Sequence, residues 1–119
     1  MIKIQLDGVP VVSKKNKMKI SRGRVYKPAD VQDFEHALAK AAAEVVCNIP
    51  DFQLLEGNLK LDLHVQFPDR RRRDLHNTFD TICDALQNIV YHDDNQIFEV
   101  VGRKTIGKSW SLTLTITEI

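Results

Sequence analysis

No apolar run in this chain approaches the ~20 residues that a membrane-spanning helix requires. Nor does the N-terminal Met1-Ile2-Lys3-Ile4 have signal-peptide architecture, so a cytoplasmic location is expected. There is no glycine-rich phosphate loop and no Cys/His spacing of the zinc type. No serine or cysteine sits in a recognisable nucleophile setting. The two cysteines, Cys47 and Cys83, read as buried thiols rather than as a disulfide. Internal repeats, linkers and low-complexity tracts are also missing, and 119 residues suffice for one domain spanning 1–119 with a single core.

What is present is unevenly charged. The net charge of +1 conceals eight Lys/Arg against the single acid Asp7 within residues 1–27. Residues 28–66 reverse the balance, with seven acids against Lys40 and Lys60. Arg70, Arg71, Arg72 and Arg73 then form an unbroken run between Asp69 and Asp74. Basic clusters on a nearly neutral chain fit either a localised polyanion site or a solubilising surface.

Hydrophobic spacing predicts the elements. Ile2, Ile4 and Leu6 alternate with polar residues, as in a half-buried strand. Residues 13–27 are too polar for core, and Ser21-Arg22-Gly23 can turn a short basic hairpin or a flexible arm. From about Asp30, the residues Val31, Phe34, Leu38, Ala42, Val45 and Ile49 fall at helical spacing, and Pro50 ends the run. Leu59 to Phe67 alternate strictly, and Pro68 closes that strand. A second helix is predicted from about Leu75 to Val90. Ile97 to Thr105 reads as a strand, Gly107-Lys108 as a turn, and Trp110, Leu112, Leu114 and Ile116 as the inward face of a last strand. The expected fold is α+β: two helices packed on a small mixed β-sheet, in the order β-arm-α-β-α-β-β.

Chemistry concentrates in two places. Pro68-Asp69-Arg70-Arg71-Arg72-Arg73-Asp74-Leu75-His76-Asn77 joins a strand to a helix, and four guanidiniums there suit phosphodiester oxygens. Asp74 falls where a carboxylate can cap a helix, so capping and catalysis are both open to it. Tyr91-His92-Asp93-Asp94-Asn95 sets two adjacent carboxylates in a loop, which suits a hard cation or simply an exposed turn. His76, Asp80 and Asp84 recur every four residues on the second helix. His76 can be a metal ligand, a hydrogen bonder in the first turn or a DNA contact. Asp80 can support the site or solvate the helix, and Asp84 is read as solvation. His36 and His64 are lone residues suited to core or surface roles. Trp110 and Phe98 read as core packing in preference to base stacking. Metal-assisted phosphodiester cleavage needs both carboxylates and cations, and the two clusters together supply them.

The ordered set of Pro68–Asn77, then Cys83-Asp84-Ala85-Leu86, then Tyr91-His92-Asp93-Asp94-Asn95-Gln96-Ile97 resembles the RusA family of Holliday-junction resolvases. Ser13-Lys14-Lys15-Asn16, Arg22-Gly23-Arg24 and Leu112–Glu118 extend the likeness over essentially the whole chain. The resemblance implies a RusA-like homodimer, often prophage-encoded, that nicks four-way junction DNA symmetrically with Mg²⁺ or Mn²⁺ and no small-molecule cofactor. It implies essential aspartates at Asp74 and Asp94 with a supporting Arg73, and a metal set of Asp74, His76, Asp94 and Asp93. DNA contacts would come from Arg70 to Arg73 and from the arm residues Lys14, Lys15, Lys17, Arg22 and Arg24. Two positions depart from the pattern. The family usually has a third aspartate where this chain has His76, and its type enzyme has a functional lysine where this chain has Asp80. Those departures keep a second reading open, a branched-DNA-binding protein of the same fold that does not cut.

A helix of about 15 residues between Asp74 and Asp94 would be roughly 22 Å long, whereas ligands of one ion stand within ~5 Å of each other. Either residues 88–94 fold back along the helix, or the site is shared between subunits.

Overall fold

The computed structural model describes residues 1–12, 19–21, 23–26 and 28–119, and for 19–21 and 24–26 the backbone alone. Its sheet is built around the segment that alternates most strictly. Strand β4 (Leu59–Phe67) buries every odd position and leaves every even one half-exposed. It pairs antiparallel with β6 (Ser111–Glu118), from Leu59 opposite Glu118 to Gln66 opposite Ser111. Strand β1 (Ile2–Asp7) pairs antiparallel with the far side of β6. On its other side β4 pairs in parallel with β5 (Ile97–Ile106). The order is therefore β1-β6-β4-β5, with β5 at one edge. A short separate hairpin, β2 (Lys19–Ser21) and β3 (Arg24–Tyr26), turns at Gly23, whose φ of 75° suits glycine. The predicted basic hairpin thus takes shape between the first strand and the first helix. Lys14, Lys15, Lys17 and Arg22 lie outside the described residues, as does the side chain of Arg24.

Helix α1 (Ala29–Cys47) follows Pro28 and buries Val31, Phe34, Leu38 and Ala42, as the spacing predicts. It stops before Pro50, where the Asn48 side chain donates to the Glu44 carbonyl. Ile49, expected on the buried face, is 37% exposed because the chain has already left the helix. Parallel pairing of β4 with β5 demands a crossover, and helix α2 (Phe79–Leu86) supplies it. The core is one cluster in which Phe34, Leu38, Ile82 and Leu86 meet the odd positions of β4 and Leu112, Leu114 and Ile116 of β6.

The second helix is shorter than its apolar period implies. Leu75–Thr78 form a 3-10 turn, α2 ends at Leu86, and Asn88 adopts φ 66°. Asparagine tolerates that left-handed backbone. It lets the chain double back so that Tyr91 pairs with Gln87 and is fully buried. Ile89 still packs on the core without being helical.

Other expectations need correction too. Cys83 is a buried free thiol, but Cys47, in the last turn of α1, is exposed. Phe98 is 69% exposed, because it occupies an irregularity where the register passes from Leu59–Ile97 to Lys60–Glu99. Trp110 is half-buried, edge-on to Phe67 at 5.2 Å. Among the described residues no helix is long and apolar enough to cross a membrane.

Candidate active site

The arginine-rich segment leaves the sheet where β4 ends. Asp69 accepts from the backbone N–H of Arg71 at 3.0 Å and from the Arg73 guanidinium at 2.6 and 3.4 Å. The guanidinium of Arg73 also lies 5.3 Å from the Phe67 ring centre and 5.0 Å from that of Trp110. Cation–π attraction and a forked ion pair therefore act on one half-buried group. First the Arg73 guanidinium, then the Arg71 amide, hold the Asp69 carboxyl below its ordinary value of 3.8. Arg73, expected among the catalytic and DNA-contacting residues, is thus folded into the structure, whereas Arg70, Arg71 and Arg72 are exposed. Its carbonyl accepts from Lys104 Nζ at 2.6 Å, which ties this segment to β5.

Asp74 occupies the N-cap position of the 3-10 turn, but its carboxylate makes no capping hydrogen bond. It is exposed, with the Asn77 side chain at 3.4 Å. Capping therefore does not account for this carboxylate. His76 and Asp80 are exposed as well, one turn apart, while Leu75 and Phe79, which immediately precede them, turn inward over Gly102. A Cβ at Gly102 would lie 3.0 Å from Leu75 and 3.3 Å from Phe79, so a glycine at mid-strand lets the turn sit close on β5.

The second cluster lies at the other end of β5. Asp93 caps the 3-10 turn Asp94–Gln96, its Oδ1 accepting from the Asn95 amide at 2.9 Å. The Asn95 amide, then the Asp94 side chain, keep the Asp93 carboxyl below its usual range. The Gln96 side chain accepts from the amides of His92 and Asp93 and donates to the carbonyls of Leu55 and Gly57. One glutamine thus pins the loop to the segment before β4. Beneath it the buried Tyr91 hydroxyl donates to the Cys83 carbonyl at 2.7 Å. Burial pushes the Tyr91 phenol far above its ordinary value, and Cys83, Asp94 and Asp93 push the same way. Neither Tyr91 nor Gln96 stood out as functional in the sequence, although the pattern Asp93-x-x-Gln96 is a capping-box signature. Asp94 is exposed on this platform.

The two clusters do not meet within one chain. Arg73 is held to Lys104, Leu75 lies on Gly102, and Asp94 precedes Ile97 at the start of the same strand. The strand rises ~3.3 Å per residue, which puts Asp74 and Asp94 roughly 20 Å apart. Accordingly, among the described residues no three His, Cys, Asp or Glu side chains stand close enough to share a metal ion. The carboxylates and imidazole are suitable donors, but those of a single chain do not fit one ion. Residues 88–94 do fold back, yet only as far as Gln87, so they do not close the gap.

Known proteins resemble this chain over almost its full length. Residues 7–117 match the family described as Endodeoxyribonuclease RusA. The Crossover junction endodeoxyribonuclease RusA of Aquifex aeolicus is 29% identical over 108 residues, which is 90% of this chain and 82% of that protein. The protein of the same name from Escherichia coli strain K12 is 32% identical over 101 residues, which is 83% of this chain and 81% of its own length. An exposed carboxylate beside an arginine run, a second carboxylate pair on a rigid loop, and this likeness agree: the chain belongs to the RusA family of endodeoxyribonucleases.

Proposed function

We propose that this protein is a structure-specific endodeoxyribonuclease that resolves four-way DNA junctions in recombination and repair. It acts as a homodimer whose active sites each take Asp74 from one chain and Asp94 from the other. The observation that carries this reading is the exposure of both carboxylates at opposite ends of one β4-α2-β5 crossover, where a single chain cannot bring them together. Two-fold symmetry also matches the task, since a four-way junction presents two equivalent strands for cutting.

The donor set is that of a Mg²⁺ or Mn²⁺ site, and such an ion, when bound, neutralises the phosphate and acidifies water. The chain's own contribution is positional. Asp74 and Asp94 present exposed carboxylates, Asp93 adds the adjacent carboxylate whose Oδ1 caps the turn, and His76 offers an imidazole two residues after Asp74. Asp80, exposed one helical turn after His76, supplies a supporting carboxylate on the same shoulder. Arg70, Arg71 and Arg72 hold backbone phosphates as forked donors, whereas Arg73 acts as a positioning residue that fixes the segment leading to Asp74. The arm residues Lys14, Lys15, Lys17, Arg22 and Arg24 add phosphate contacts, so binding weakens steeply with salt.

Cleavage of an end-labelled synthetic four-way junction in Mg²⁺ or Mn²⁺, beside a linear duplex of the same sequence, tests the reading. Paired symmetric nicks on the junction alone, lost in Asp94→Asn, are expected. His76 replaces an aspartate of the family pattern and Asp80 a lysine of its type enzyme, which keeps open a second reading as a non-cutting junction binder. Tight salt-sensitive binding with no nicks in either metal selects that alternative.

A further inference from the structure

One inward position of strand β5 carries a charge. Parallel pairing sets Val100, Gly102 and Lys104 beside Leu61, Leu63 and Val65 of β4, whose side chains are buried. Lys104 therefore stands on the helix-bearing face of the sheet, two residues and roughly 7 Å beyond Gly102. Leu75 and Phe79 lie over Gly102, so this lysine borders the turn that presents Asp74 and His76.

A lysine on an edge strand has an ordinary role. Its stem covers apolar surface, its head stays in water and its charge deters a foreign strand. Lys104 departs from that role in how its head is held. Its Nζ donates to the Arg73 carbonyl at 2.6 Å and lies 5.4 Å from the centre of the Phe67 ring. That carbonyl belongs to the peptide whose nitrogen is Asp74's, so the ammonium is fixed against the backbone that carries an essential carboxylate of the proposed site.

The charge is also uncompensated. Asp69 is engaged by the Arg73 guanidinium and the Arg71 amide. Among the described residues no carboxylate forms an ion pair with Lys104. An ammonium has three N–H donors, and Arg73 takes one of them. The residue is exposed, which leaves two donors open to an incoming anion. A lysine already held at two points loses little further freedom when that anion binds.

We propose that Lys104 is a DNA contact of the active site: braced by the peptide between Arg73 and Asp74, its ammonium holds a phosphate oxygen of the strand engaged at Asp74. This rests on the function proposed above and adds a further residue to the same site. The exposed Arg70, Arg71 and Arg72 reach Asp74 along the chain, whereas Lys104 reaches it across the sheet. Their roles differ accordingly. Arginine forks meet phosphates along the backbone, and a braced point charge serves a single phosphate.

Junction affinity measured by fluorescence anisotropy without divalent ions, from about 50 to 200 mM salt, tests the contact, with far-UV circular dichroism confirming each fold. Each phosphate contact contributes about 0.9 to the slope of log affinity against log salt. Lys104→Met should lower that slope by roughly 1.8 for a dimer with two sites, and Lys104→Arg should keep it. Lys104→Gln can still donate to the Arg73 carbonyl but has no charge, so it should lose as much slope as Lys104→Met. Arg103→Met removes the neighbouring charge on the opposite face of the sheet and should leave the slope unchanged. In Mg²⁺, kcat/KM for nicking should fall about thirtyfold in Lys104→Met. An unaltered slope in Lys104→Met, a slope retained by Lys104→Gln, or an equal fall in Arg103→Met overturns the proposal, even where the wild type nicks junctions as expected. The expected slopes without any nicking would contradict the proposed cleavage and leave Lys104 standing as a phosphate contact. A wild type with no salt-sensitive junction binding overturns both.

Discussion

The guanidinium of Arg73 donates to both carboxylate oxygens of Asp69 while lying against the rings of both Phe67 and Trp110, at 5.3 and 5.0 Å from their centres. The last arginine of a four-arginine run is therefore a structural cation, and only three remain exposed to a nucleic acid. Its backbone carbonyl, held by Lys104, leads directly into Asp74.

Arg73→Lys removes the fork and the planar stacking but keeps the charge, so it should destabilise the fold by about 1–2 kcal/mol. Arg71→Lys, at an exposed position, should leave stability unchanged. Urea denaturation of the two variants separates these outcomes, and equal midpoints would contradict the packing of Arg73.

The same pair makes stability depend on acid. The Asp69 carboxyl is held below its ordinary 3.8. Its contribution is fully present above that value and is lost as pH falls through the lower folded-state value. Thermal melts from pH 5 down to pH 2 should therefore show a shallower loss for Asp69→Asn than for the wild type. Parallel curves would refute the assignment.

Tyr91 carries the loop that presents Asp93 and Asp94. Tyr91→Phe leaves the buried Cys83 carbonyl without its phenolic donor. A cost of about 1–3 kcal/mol is expected, measurable by urea denaturation. Hydrogen exchange should also quicken in residues 87–96, and unaltered exchange there would mean that the phenol does not secure the loop.

Imidazole suits Mn²⁺ better than Mg²⁺. With His76 among the ligands, junction nicking should run faster in Mn²⁺ across a titration, and His76→Asp should shift the preference toward Mg²⁺. Equal rates with both metals in both proteins would remove His76 from the ligand set.

Much of this was legible in the sequence. Strict alternation from Leu59 to Phe67 and from Leu112 to Ile116 specified β4 and β6, because each strand has one fully buried face. The helical period of Val31, Phe34, Leu38 and Ala42 specified α1 in the same way. The second helix was overextended because Ile89 and Val90 continue the apolar period after the backbone turns at Asn88, and periodicity cannot distinguish a helix from a buried loop. The site residues were legible as types but not as partners. Arg73 is taken out of solvent by Phe67, at the end of β4, and Trp110, just before β6, and no local pattern records that meeting. The separation of Asp74 from Asp94 follows from the parallel pairing of β4 and β5, a property of topology.

If each active site draws Asp74 and Asp94 from different chains, subunit exchange between inactive variants must rebuild it. Asp74→Asn and Asp94→Asn proteins, each inactive alone, are mixed under exchanging conditions and assayed on a labelled four-way junction. Random exchange makes half of the dimers mixed, each with one intact site, so nicking should recover to roughly a quarter of the wild-type rate. Those nicks should be single and unpaired. No recovery, with exchange verified by mass, would mean that each chain completes its own site and would contradict the account.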